Sequence, residues 1–116
     1  MTGLDRILVF AGGLCGASGV ALSAVAAHAG GANLSTAASF LLFHAPALLA
    51  LGLFGGALAM RLGGLSLLLG LALFCGDLVS RTYLGTRLFP YSAPLGGTIL
   101  IAGWLIVAIS AFTTRR

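Results

Sequence analysis

Two residues in this sequence could do chemistry where it is costly: His44 and Asp77 both lie inside long apolar runs. An ionisable side chain near the middle of a bilayer costs on the order of 2.5 to 3.5 kcal/mol by insertion scales, so each one kept there asks for a reason. Two reasons compete. Asp77 and Arg81 stand at i and i+4 with the acid first, the favourable order for a helical ion pair. An arginine snorkelling toward the headgroups would then neutralise the acid with no ligand needed. In the alternative, His44 meets Asp77 across a helix bundle. With Arg81, His28, Ser39 and Ser80 in the same half of the bundle, they form a polar pocket for a proton, a cation or a lipid headgroup.

Pro46 adds a local feature, because proline removes one backbone donor and frees a carbonyl about one turn earlier, around Leu42. Ser39 or His44 is placed to answer it. Catalytic patterns are missing: the sequence has no HExxH, GxSxG or Walker A loop and no second carboxylate beside Asp77. Cys75 with His44 is the nearest approach to a nucleophile pair, and a thiol in an apolar wall is not activated. Cys15 and Cys75 lack CxxC spacing and a histidine cluster, so they read as inert buried thiols. The expectation is a protein that is not an enzyme, with no cofactor and no bound metal.

The elements that carry these residues follow from composition. Of 116 residues, 59% are hydrophobic and 7% charged, against roughly 25% charged in a soluble domain. Too little charge is present to cover a water-facing surface, so lipid is the expected surroundings. Four apolar stretches, 7–27, 36–59, 65–84 and 95–112, each approach the roughly 20 residues needed to cross the hydrocarbon. The predicted fold is all-α, a single membrane domain built as an up-down-up-down four-helix bundle. Gly30-Gly31 and Gly63-Gly64 read as helix stoppers, Ser35 as the cap of the second helix, and Pro94 as first-turn proline of the fourth. At about 1.5 Å per residue these spans put His44 about 12 Å and Asp77 about 10 Å below the same membrane face. Asp5-Arg6, the apolar run and Ala24-Val25-Ala26 imitate a secretory signal, but the run is long enough to remain as a span.

The net charge of +4 comes from arginines scattered singly, which exclude a contiguous nucleic-acid patch and act as boundary markers. Arg6, Arg61, Arg115 and Arg116 fall on one side of a four-span chain, Arg81 and Arg87 on the other, favouring cytoplasmic termini. Tyr83, Phe89 and Tyr91 suit an interfacial belt, whereas Trp104 sits mid-helix. Helix packing in lipid depends on small side chains, and Gly12 with Gly16 and Gly52 with Gly56 give the GxxxG spacing. These serve contacts within the chain or self-association. The two halves show no repeat of the inverted-transporter kind.

Several short strings recur in a fixed order: Ala26-Ala27-His28-Ala29-Gly30, then Phe43-His44-Ala45 with Ala47-Leu48-Leu49-Ala50, then Leu73-Phe74-Cys75-Gly76, then Pro94-Leu95-Gly96-Gly97 leading to Ala102-Gly103-Trp104-Leu105. With them the chain, from about Gly12 onward, resembles the domain-of-unknown-function 423 family of small four-span membrane proteins, which has bacterial members and a eukaryotic transmembrane relative. The resemblance implies an integral protein of the cytoplasmic membrane and supplies no catalytic residues. Pro46, Leu41, Cys75 and Asp77 depart from the family pattern, and the two histidines are its best matches. The leading expectation is a structural or accessory membrane component in contact with the lipid bilayer, alone, as a homo-oligomer or beside a larger complex. The rival is binding or transport at the His44 and Asp77 pocket.

Overall fold

The computed structural model describes residues 1–113 and consists of four helices: α1 Gly3–Ala29, α2 Ala32–Phe54, α3 Leu58–Tyr83 and α4 Ser92–Thr113. All four are long and apolar enough to cross a membrane. Large side chains such as Phe10, Phe43, Phe54, Ile101 and Phe112 point outward, while the interior is rich in alanine, glycine and a few leucines. That inverts the arrangement of a soluble bundle. Lipid solvates large apolar side chains as well as a core does, so the interior is filled by whatever lets helices approach.

The chain starts with a capping box. Thr2 Oγ1 accepts from Asp5 N–H at 3.1 Å and Asp5 Oδ2 accepts from Thr2 N–H at 3.0 Å, satisfying donors that α1 would otherwise leave open. α1 turns into α2 through Gly30 and Gly31 (φ 80° and 106°), and α2 into α3 through Gly55 and Gly56 (φ 60° and 102°). These left-handed dihedrals are close to free only for glycine.

The second turn is a correction to the sequence reading. α2 ends at Phe54 and α3 begins at Leu58, so the break lies at Gly55-Gly56 and not at Met60 to Gly64. Gly63 and Gly64 are buried inside α3 instead. α2 also starts earlier than expected, which puts Ser35 inside the helix. Its N-cap is Gly31, with no side-chain hydrogen bond. Pro94 does fall in the first turn of α4.

Packing follows a seven-residue rhythm. On α1, Gly12 and Gly19 face Ala45, Leu49 and Leu42 of α2, while Gly52 of α2 faces Asp5 and Val9. On α3, Gly63 and Gly70 face Val107, Gly96 and Leu100 of α4, while Gly96 and Gly103 face Phe74 and Leu67. Gly12 and Gly19, Ala45 and Gly52, Gly63 and Gly70, and Gly96 and Gly103 are each seven apart, the spacing of a left-handed seam. The GxxxG reading is thereby replaced. Gly16 touches only the Ala45 side chain at ordinary distance, and Gly56 lies beyond the helix end.

Two antiparallel hairpins result, joined where α2 packs on α3. α1 reaches α3 near its start, with Leu8 against Gly64 and Arg61 Nε 3.3 Å from Asp5 Oδ1. Among the described residues, α4 has no Cα within 8 Å of α1 or α2. The bundle is therefore open along two flanks.

A methyl group at Gly96 would lie 2.6 Å from the Phe74 nitrogen and 2.9 Å from the Gly70 oxygen, both backbone. Gly96→Ala should cost about 1 to 2 kcal/mol even after the gain in helix propensity. Gly13, which has open space at its Cβ, should tolerate alanine with no loss. Unfolding midpoints of the two variants in mild detergent micelles check this contrast.

Candidate functional site

His44 projects from the middle of α2 and is buried. Its Nδ1 lies 2.7 Å from the Phe40 carbonyl oxygen and its Nε2 lies 3.1 Å from Trp104 Nε1 on α4. An indole nitrogen can only donate, so Nε2 accepts and Nδ1 carries the proton that goes to Phe40. The imidazole is a neutral connector between two helices. Its ring stands 5.6 Å from the indole ring, and Phe40 packs against Phe74 of α3 with centroids 4.5 Å apart and the rings tilted by 37°. Three helices thus meet through His44 and the aromatic residues around it. The carbonyl that His44 engages is that of Phe40, not the Leu42 carbonyl released by Pro46.

Asp77 is fully buried on α3. Its Oδ1 accepts from Ser92 Oγ at 2.6 Å and from the Leu88 backbone N–H at 3.1 Å, and its Oδ2 lies 2.7 Å from Arg81 Nη2. The i and i+4 ion pair is formed, and the other carboxylate oxygen ties down the chain between α3 and α4. Ser80 assists by donating to the Thr86 carbonyl at 2.7 Å, and the Leu88 side chain packs over Gly76. A buried carboxylate with three partners holds the segment from Leu84 to Tyr91 against α3.

The six residues expected to share one pocket are separated. His44 joins Trp104; Asp77, Arg81 and Ser80 surround the α3–α4 connection; Ser39 borders a small cleft between α1 and α2 with Ser23 and Ser35; His28 is exposed at the end of α1. No hydrogen bond or ion pair joins His44 to Asp77 among the described residues. Depth explains why. Because α2 begins at Ala32, His44 is about 18 Å below the face from which Asp77, six residues before Tyr83, is only about 9 Å. The later start assumed for the second span had made the two depths look alike.

Sequence reasoning missed Trp104, Ser92 and the Leu88 N–H as partners, and also the Asp5–Arg61 pair between α1 and α3. Trp104 carried a usable signal, since an indole N–H at mid-membrane depth has no water to bond and needs an acceptor. Cys75 Sγ donates to the Ala37 carbonyl at 3.6 Å, and both Cys15 and Cys75 are free, buried thiols. They line an open apolar cleft of about 610 Å³ between α1 and α3, with Ser18 the other polar lining residue. No cluster of three or more histidine, cysteine or acidic residues occurs among the described residues. Arg115 and Arg116 lie outside them.

The family model described as a protein of unknown function, DUF423, matches residues 8–97. The chain belongs to the DUF423 family. A UPF0382 membrane protein of Staphylococcus haemolyticus is 28% identical over 117 residues, covering 92% of this chain and 96% of its own. A UPF0382 membrane protein of Haemophilus influenzae is 32% identical over 86 residues, covering 71% of this chain and 68% of its own. No solved structure matches. The family carries no established biochemical role. Four apolar helices and membrane-protein relatives together make this DUF423 chain a multi-pass membrane protein in contact with the bilayer.

Asp77→Ala removes the acceptor for Ser92, Leu88 and Arg81 at once. Breaking a buried pair costs about 3 to 5 kcal/mol, and the low end applies because the Arg81 side chain is 30% exposed. Trypsin should cut after Arg87 much faster in this variant than in the wild type. Ser92→Ala, which removes one hydrogen bond to the same carboxylate, should give a smaller increase.

Proposed function

We propose that this DUF423 protein is a non-enzymatic component of the bacterial cytoplasmic membrane, acting as a structural or accessory element alone, as a homo-oligomer or within a larger membrane complex. The supporting observation is that the intramembrane groups a substrate would need are engaged by the chain itself. His44 has an acceptor and a donor on its two nitrogens, and both carboxylates, Asp5 and Asp77, are ion-paired and hydrogen-bonded. A proton or cation carrier needs a site whose occupancy can change without dismantling the fold. Here a change at Asp77 would release the α3–α4 connection.

The termini are assigned to the cytoplasmic side. Arg6 and Arg61 lie at the end of the bundle where α1 starts, and Arg115 and Arg116 follow α4 in sequence. Arg81 and Arg87 lie at the opposite end. Counted along the sequence, four arginines against two support this orientation.

Native mass spectrometry and crosslinking of gently extracted membranes test the accessory role. The expected result is a homo-oligomer or a defined co-purifying complex, and a strictly monomeric species without partners would count against it. In proteoliposomes carrying a pH-sensitive dye, proton leak should equal that of empty vesicles. A flux abolished by His44→Phe would favour the transport alternative.

A further inference from the structure

We propose that the groove between α2 and α4 binds an anionic phospholipid, with one acyl chain along its apolar walls and the phosphate at Arg81. The groove exists because these two helices are bridged by the His44–Trp104 hydrogen bond while their backbones stay apart. It measures about 600 Å³, within the range of roughly 300 to 1,000 Å³ for small-molecule sites. Phe40, Phe74, Pro94, Leu100 and Ile101 line it, and Arg81 closes one end. A gap of this kind facing hydrocarbon is filled, since an empty one would forfeit the dispersion contacts of its lining.

The closed end selects the headgroup. Arg81 lies two residues before the end of α3, level with exposed Tyr83, Phe89 and Tyr91, the aromatic signature of the membrane–water interface where phosphates lie. A guanidinium has five N–H donors. Asp77 faces only Nη2, and Arg81 Nε is buried with no hydrogen-bond partner among the described residues. The same end carries Arg81 and Arg87 against the single acid Asp77, so one positive charge remains for an anionic lipid. The α1–α3 cleft has a similar volume but no charged lining residue, and it offers an acyl chain no headgroup partner.

Trp104, the only tryptophan of the chain, follows Leu100 by one helical turn on α4 and reports on occupancy. The full-length protein is reconstituted in phosphatidylcholine vesicles containing either brominated phosphatidylglycerol or brominated phosphatidylcholine at equal mole fraction, and quenching of Trp104 fluorescence is compared. One arginine near the surface corresponds to about a fivefold preference for the anionic lipid. Arg81→Gln should bring the two lipids to parity. Gly97 lines the groove and has open space at its Cβ, so Gly97→Leu fills the groove without a clash and should abolish the preference with helicity by circular dichroism unchanged. If Arg81→Gln fails to fold, the Gly97 variant decides. Equal quenching by both lipids in the wild type overturns the proposal, as does a preference that survives Gly97→Leu. Quenching that falls as the chain self-associates at high protein-to-lipid ratio puts a second copy in the groove and overturns it too.

Discussion

Backbones of neighbouring helices come close enough here that a single methyl group would collide with main-chain atoms of the partner, as at Gly96 against Phe74 and at Gly52 against Asp5. Everything else in the fold depends on that approach. In water a leucine-lined core would suffice, because burying apolar surface is itself favourable. Hydrocarbon removes that drive, leaving van der Waals contact and hydrogen bonds as the forces that hold helices together. Small residues at seven-residue intervals keep the seam on one face over the whole span, which a spacing of four would not do in antiparallel, left-handed packing.

The same constraint explains where polarity is allowed. With backbone groups satisfied inside the helices, side-chain polarity is retained where it binds one element to another: Asp5 to Arg61 at one membrane end, His44 to Trp104 in the interior, and Asp77 to Ser92, Leu88 and Arg81 at the other end. Each removes a cost that either partner alone would incur in lipid. The costliest residue to bury, Asp77, has the most partners.

Four helices were legible from the apolar runs, and the Asp77–Arg81 pair from its spacing. The turn between α2 and α3 was not, because Gly55-Gly56 and Gly63-Gly64 are the same dipeptide eight residues apart. Glycine serves both as a left-handed turn residue and as a packing surface in membranes, and hydropathy does not distinguish the two uses. Nor does the register, since Gly56, Gly63 and Gly70 stand seven apart; only the left-handed φ of Gly55 and Gly56 marks the turn. Misplacing the boundaries of the second helix brought His44 and Asp77 to one depth on paper. The partners of His44 depended on which helices are neighbours, and Asp77's on the path of the chain after Tyr83, and neither is written in local periodicity.

The two hairpins are internally tight but loosely joined, and this has a consequence for how the molecule meets its surroundings. α1 is clamped to α3 at one membrane end by Asp5–Arg61 and Leu8–Gly64, then leaves it, opening the cleft that runs past Cys15 and Cys75. Among the described residues α4 lies along α3 and is bridged to α2 by the His44–Trp104 hydrogen bond. A hydrogen bond between side chains in a membrane is worth on the order of 0.6 to 2 kcal/mol, too little to close a flank whose backbones come nowhere within 8 Å of each other among the described residues. Either lipid or another protein must complete these flanks, because neither is packed by the chain itself. An open flank with an arginine at its interfacial end is chemically different from one lined by thiols and alanines, so the two sides of this small protein present different surfaces to the membrane around it.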